Sequence, residues 1–245
     1  MKYATFDLEI AADLLIDEKT GVTYKPWKHP SPLTISCAAF AFSDKPDPEF
    51  HSGKPEMSRD TAIAVVRRIQ ELVQEGYKII TWNGCSFDFS VLALQSGLMK
   101  ECSELAMNHV DLMLIVTFTK GHFLGFDKAL SGAGLRGKQH EGKLSNGESV
   151  EKITGADMPG LWRKGEYELV LSYLGQDVLQ LKELVEALDV SRRIRWISGR
   201  GKEQVVPMKN FITVKQCFDI PEPNASWMSN PPKRGDFIEW MMPGG

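Results

Sequence analysis

Four carboxylates and one phenol stand out in this chain because their positions make ordinary structural sense hard to maintain. Asp7 and Glu9 flank Leu8 in a hydrophobic run at the start of the sequence. Side chains alternate along a strand, so both acids project to one face, ~7 Å apart. Like charges held that way repel, and a divalent cation with oxygen ligands would relieve the repulsion. Asp177 falls on the apolar stripe formed by Val170, Leu174, Leu181, Leu184 and Leu188. A carboxylate buried there without a partner costs several kcal/mol, on the order of 3–5. Tyr173 lies one helical turn earlier on the same face. Asp88 closes the segment NGCSFD (residues 83–88), which follows a hydrophobic strand and opens a helix. That junction faces the crevice where open α/β sheets place ligands.

Each feature also has a plain explanation. Asp-x-Glu recurs at Asp47-Pro48-Glu49, in an obvious turn, and Tyr-x-x-x-Asp recurs at Tyr3 and Asp7. Asp177 could sit on a helix edge, and Ser86 or Asp88 could serve only as a helix cap or first-turn acid.

The elements that would position these residues follow from hydrophobic periodicity. Residues 2–8 (KYATFDL), 34–43 (TISCAAFAFS) and 78–82 (KIITW) read as strands. Residues 58–75, 87–98, 111–119, 123–133 and 166–188 read as helices, the first capped by Ser58 or Asp60. Residues 193–198 and 203–208 flank Gly199-Arg200-Gly201-Lys202 and read as a β-hairpin, with a short helix at 236–241. Residues 11–33 and 134–150 read as loop. Strands alternating with helices indicate an α/β domain with a mixed sheet.

The 245 residues carry 29 basic and 32 acidic groups, a net charge of −3. The partition is more informative than the sum. Residues 1–190 hold 20 basic and 27 acidic groups; residues 191–245 hold 9 and 5. No apolar run approaches the ~18 residues of a membrane span. No signal-peptide core is evident, because Asp7 and Glu9 interrupt the start. The four cysteines (37, 85, 102 and 217) form no CxxC. A reducing, cytoplasmic setting is expected.

As a set, FDLE (residues 6–9), NGCSFD (83–88) and YLGQD (173–177) resemble, in order, the three motifs of the DEDD superfamily of 3′–5′ exonucleases, on the RNase H-like fold. Tyr173 stands four residues before Asp177, and Ser172 occupies the place where the His subclass would have its histidine. The chain therefore resembles the DEDDy subclass over roughly residues 1–190. HVDLM (109–113) and PEPNASWMSNPPKRGDFIEW (221–240) are similar to stand-alone relatives of the family-B DNA polymerase proofreading domain. Two departures are present: Ile10 where the family often has Thr or Ser, and a long 11–33 loop.

The resemblance implies a mixed sheet flanked by helices, with an exonuclease domain at 1–190. A basic C-terminal hairpin and helix extension at 191–245 would pack on the same domain. It implies hydrolysis of phosphodiester bonds at DNA 3′ ends, single-stranded or frayed, releasing nucleoside 5′-monophosphates. Two Mg²⁺ or Mn²⁺ ions would be held by Asp7, Glu9, Asp88 and Asp177, with Tyr173 orienting the attacking water. The Leu8 backbone and Ile10 would touch the terminal nucleotide, and Asn83 and Phe87 the strand. Arg193, Arg195 and Lys202, with Arg192 and Arg200, would track phosphates beside a stacking Trp196; the competing reading is a charged sheet edge with Trp196 in the core. Lys138 and Lys143 would meet phosphate or solvent. His109 with Asp111 is either a supporting pair behind the site or, for Asp111, a helix cap. Cys85 reads as a small packing residue. A separate polymerase or a repair factor is the expected protein partner. RNA as substrate, and a catalytically silent nucleic-acid-binding module, are the alternatives.

Overall fold

A computed structural model describes residues 1–137 and 141–242 of the chain. Lys138 therefore lies outside the described residues. Five strands form the main sheet in the order β3-β2-β1-β4-β5. They are β1 (Tyr3–Ile10), β2 (Ile35–Phe42), β3 (Glu49–Ser52), β4 (Lys78–Thr81) and β5 (Val110–Asp111). β1 pairs antiparallel with β2 and parallel with β4; β2–β3 is antiparallel and β4–β5 parallel. The mixed α/β sheet expected from the sequence is thus present, with two additional edge strands. β3 and β5 are only four and two residues long, too short for a periodicity to show.

Helices cover both faces. α1 (Arg59–Gln74), α2 (Asp88–Ser96) and α3 (Met99–Asn108) lie on one. Ser58 does cap α1, accepting from the Thr61 amide at 3.1 Å. On the other face lies α7 (Tyr167–Ser191); α4 (Leu112–Lys120), α5 (Phe126–Gly132) and α6 (Met158–Arg163) complete the order before it. Residues 141–151, read from sequence as loop, form a small hairpin of β6 (Glu141–Lys143) and β7 (Ser149–Glu151). Strands of three residues leave no alternating pattern to read.

β2 explains how the two faces differ. Cys37, Ala39 and Ala41 point toward α7, whereas Ala38, Phe40 and Phe42 point into the α1–α2 side. Small side chains on one face let the long helix approach the sheet. Thr5 and Tyr3 on β1 then bind its carbonyls: Thr5 Oγ1 donates to Val178 O at 2.8 Å, and the Tyr3 hydroxyl to Lys182 O at 3.4 Å. Two strand residues advance ~6.6 Å and one helical turn 5.4 Å, so alternate β1 side chains keep step with successive turns. Asp7 is the next position along β1, and Asp177 lies one residue from the Val178 rung.

The expected C-terminal hairpin is β8 (Arg193–Ile197) with β9 (Glu203–Pro207), followed by α8 (Val214–Cys217) and 3₁₀ turns at Arg234–Phe237 and Glu239–Met241. The terminal helix expected at 236–241 is thus resolved into two short 3₁₀ segments. Ile194, Trp196, Val206, Val214 and Phe237 share a hydrophobic cluster with Ile80, Val110 and Leu184. Trp240 enters the cluster on the other face, and its indole donates to Cys85 O at 2.9 Å. All four cysteines are buried and free. Among the described residues no helix is long and apolar enough to cross a membrane.

Gly132 is the tightest seam between hairpin and helix. A Cβ built there would stand 1.6 Å from the Arg195 carbonyl oxygen. Gly132→Ala must push β8 off α5 and is expected to cost about 1–3 kcal/mol. Urea unfolding monitored by circular dichroism checks this; an unchanged midpoint would show that the contact is soft.

Candidate active site

β4 pairs with β1 only as far as Thr5. Beyond it β1 continues alone on that side, over the crevice at the carboxyl ends of β1 and β4. The Leu8 amide, with no strand to meet, donates to Asp7 Oδ1 at 3.0 Å and to Asp88 Oδ1 at 3.1 Å. One N–H thus gathers the acid of the first motif and that of the second. Burial, then the charge of Asp7 and hydrogen bonding to its carboxyl, pushes Asp88 well above the usual carboxylate range.

Asp7, Glu9, Asp88 and Asp177 line one cleft of about 380 Å³, together with Leu8, Ile10, Asn83 and Phe87. Sequence reasoning missed Leu14, Trp82, Phe126, Gly155 and Leu181 in the same wall; being apolar or small, they carry no chemical signature. Glu9, Asp88 and Asp177 are 8%, 3% and 5% exposed. Asp7 and Glu9 face the α7 side with Cys37, whose thiol is raised to about 12 chiefly by burial, with smaller contributions from both acids. The register of β1 against β2 breaks between Glu9 and Ile10, and the Ser36 hydroxyl fills the irregularity by donating to Glu9 O at 2.9 Å. Bulges beside active sites commonly re-aim a side chain.

Tyr173 is 7% exposed and packs among Ala39, Val170 and Leu174; it is not in the cleft wall. Among the described residues, no three His, Cys, Asp or Glu side chains are drawn into one group able to hold a metal. The close pair is Asp7 and Asp88, both bound by the Leu8 amide. Its chemistry fits a hard cation: all donors are oxygens.

The turn carrying the second motif is held from behind. Asp111 accepts from the amides of Asn83 (3.0 Å), Cys85 (3.0 Å) and Leu114 (3.1 Å). It is therefore the cap of α4 and also the anchor of the Asn83–Cys85 turn, which places Asn83 at φ 74°, a conformation Asn tolerates. Thr81 Oγ1 accepts from the Gly84 amide at 3.1 Å and lies 2.9 Å from His109 Nε2. The other nitrogen, Nδ1, meets the Ala106 carbonyl. A carbonyl only accepts, so Nδ1 carries the proton and Nε2 accepts from Thr81. His109 is thus a neutral brace and not a ligand. Cys85 is a buried packing residue, its thiol raised well above 9.0 mainly by burial.

The basic hairpin is only partly as expected. Arg193, Arg195 and Lys202 are exposed. Trp196 is 3% exposed and meets His122 edge-on, so it offers no face to a base; exposed and buried positions alternate along β8, and its position points inward. Lys143, on β6, is exposed.

A family model, that of the RNase H superfamily, matches residues 31–189. The chain belongs to the RNase H superfamily. The match takes in Asp88, Tyr173 and Asp177 and begins after β1, which carries Asp7 and Glu9. No curated protein matches the sequence. The sheet and flanking helices are those of an RNase H-like fold, and membership indicates a nuclease, a hydrolase acting on nucleic acid, in a superfamily that generally uses divalent metals.

Burial lowers the His109 pKa from 6.5 to about 4. Its neutral form is favoured in the fold, so its contribution is complete above pH 6.5 and is lost as pH falls through 4. His109→Gln should flatten the stability-against-pH curve over that interval. Chemical denaturation at pH 7.5, 5.5 and 4.5 provides the check; parallel curves for the two proteins would reject the neutral-brace assignment.

Proposed function

We propose that this RNase H superfamily member is a metal-dependent 3′–5′ exonuclease of the DEDDy type, removing nucleoside 5′-monophosphates from DNA 3′ ends. The observation that carries the proposal is the convergence of Asp7, Glu9, Asp88 and Asp177 on one cleft, in the motif order of that class.

Asp7 and Asp88, paired at the Leu8 amide, would form the centre of the metal-binding set, with Glu9 and Asp177 completing it from β1 and α7. Two Mg²⁺ or Mn²⁺ ions bound there supply a lowered water pKa and charge neutralisation at the phosphate. Leu8 and Ile10 line the cleft where the terminal nucleotide would lie, with Asn83 and Phe87 at its edge. Tyr173 would orient the attacking water. The chain divides in this reading into an exonuclease domain at 1–190 and a basic extension at 191–245 that shares its core. The free cysteines are consistent with a cytoplasmic, reducing setting. A separate polymerase or repair factor remains the proposed partner class.

The test is release of monophosphate from end-labelled single-stranded, frayed and blunt DNA, beside RNA, with Mg²⁺, Mn²⁺ or chelator. Release should require metal and fall by at least ~10³-fold in Asp7→Ala; Tyr173→Phe should lower kcat by ~10²-fold or more with KM little changed. Release in chelator would reject the metal mechanism, exclusive trimming of RNA the DNA assignment, and unchanged Tyr173→Phe turnover the water-orienting role. Tight strand binding with no product under any metal would favour a silent binding module.

Arg193, Arg195 and Lys202 are proposed to contact the strand's phosphates. Their joint replacement by Gln should reduce the slope of log affinity against log salt by about 0.7 for each cation that meets a phosphate. Titrations between 50 and 300 mM salt, on the order used for such slopes, read it; an identical slope would make the hairpin a protected edge only.

A further inference from the structure

A second cavity, about 630 Å³, adjoins the acidic cleft. Asn83 and Phe87 line both, so the two are continuous across the second-motif turn. The walls of the larger groove come largely from outside the superfamily match. One is the 11–33 loop, through Val22, Lys25 and Trp27; the other is the segment 228–237, through Met228, Lys233 and Phe237.

The loop is itself ordered. An isolated bridge joins Ile16 to Thr23, and the same hairpin sends Leu14 into the cleft and Val22 into the groove. Its base is fastened to the far wall: Lys25 and Lys28 both pair with Glu239, the former at 3.0 Å, and Lys25 also reaches Asp236 at 3.8 Å. The two cations pull Glu239 down to about 2.

The lining is aromatic and mostly apolar, with Lys25 and Asp236, which pair with each other, and Lys233 among its charged residues. Phe123 is 57% exposed. Lys25 lies 5.3 Å over the Trp27 ring. Lys233 makes no ion pair among the described residues. Aromatic faces with interspersed cations suit unpaired bases and the phosphates between them. Paired bases hide their faces in the stack and cannot use such rings. A purely apolar peptide would explain the rings but not the lysines or the continuity with a cleft built for phosphodiesters.

We propose that the groove between Trp27, Phe87 and Phe123 is a single-strand subsite, holding the unpaired nucleotides that precede the 3′-terminal one and so selecting 3′ tails over paired ends. The inference rests on the exonuclease reading only for which end of the strand lies in the cleft.

The experiment is fluorescence anisotropy in chelator, where no hydrolysis occurs, on duplexes bearing 3′ tails of increasing length. A parallel series carries 2-aminopurine at the third nucleotide from the end. Affinity should rise with tail length and 2-aminopurine should be quenched on binding. Trp27→Ala combined with Phe123→Ala should weaken binding of long tails by roughly tenfold or more and remove most of the quenching. If the double variant does not fold, Phe123→Ala alone serves, its ring being mostly exposed; Lys233→Glu should weaken the same tails. Tail-independent binding by the native protein overturns the proposal, as does wild-type affinity and quenching in a folded double variant. Tail-dependent, quenched binding without nucleotide release under Mg²⁺ or Mn²⁺ would leave the groove standing and defeat the exonuclease reading. Release with unaltered binding by the variants would defeat the groove alone.

Discussion

The clamp between β1 and α7 is the contact on which the rest depends. Thr5 gives its hydroxyl hydrogen to Val178 O, and it can do so because Cys37, Ala39 and Ala41 keep the neighbouring strand low. A helix that settles this close brings Asp177 over the strand end that carries Asp7 and Glu9. Bulkier residues on that face of β2 would lift α7 and separate the acids without touching any of them. The cleft is therefore specified by alanines as much as by carboxylates.

How much of this was legible in the sequence divides along physical lines. Helices α1, α2, α4, α5 and α7, strands β1, β2 and β4 and the hairpin at 193–207 show a pattern that can be read. So does the conflict of Asp177 with its stripe, which is indeed buried. The ten-residue α3 escaped, and what else escaped was short or cooperative. β3, β5, β6 and β7 offer two to four residues each. Asp111 looked like a helix cap because the Leu114 amide is three residues away; its bonds to Asn83 and Cys85 span 28 and 26 residues and leave no local trace. Trp196 shows the opposite error. Its basic neighbours suggested a surface, but alternation on β8 puts the arginines outside and the tryptophan inside.

Charge follows the same logic. The net value of −3 averages an acidic body with a basic C-terminal region. In the fold, part of the acidity converges on the cleft, and Asp88 is held towards its protonated form there. The second-motif turn adds a neutral histidine whose nitrogens meet Thr81 and the Ala106 carbonyl, where the sequence left open a supporting pair of His109 with Asp111.

The bond from Trp240 to the Cys85 carbonyl has a consequence for synthesis. It closes the second-motif turn with a residue 155 positions later in the chain, and Glu239 at its side ties down the loop that borders the cleft. A ribosome adds residues at about 5–20 per second. The acids of β1 and the turn at Asp88 thus exist for on the order of ten seconds before the segment that completes their surroundings is made. A nascent nuclease of this design has an unfinished site until that segment has been made.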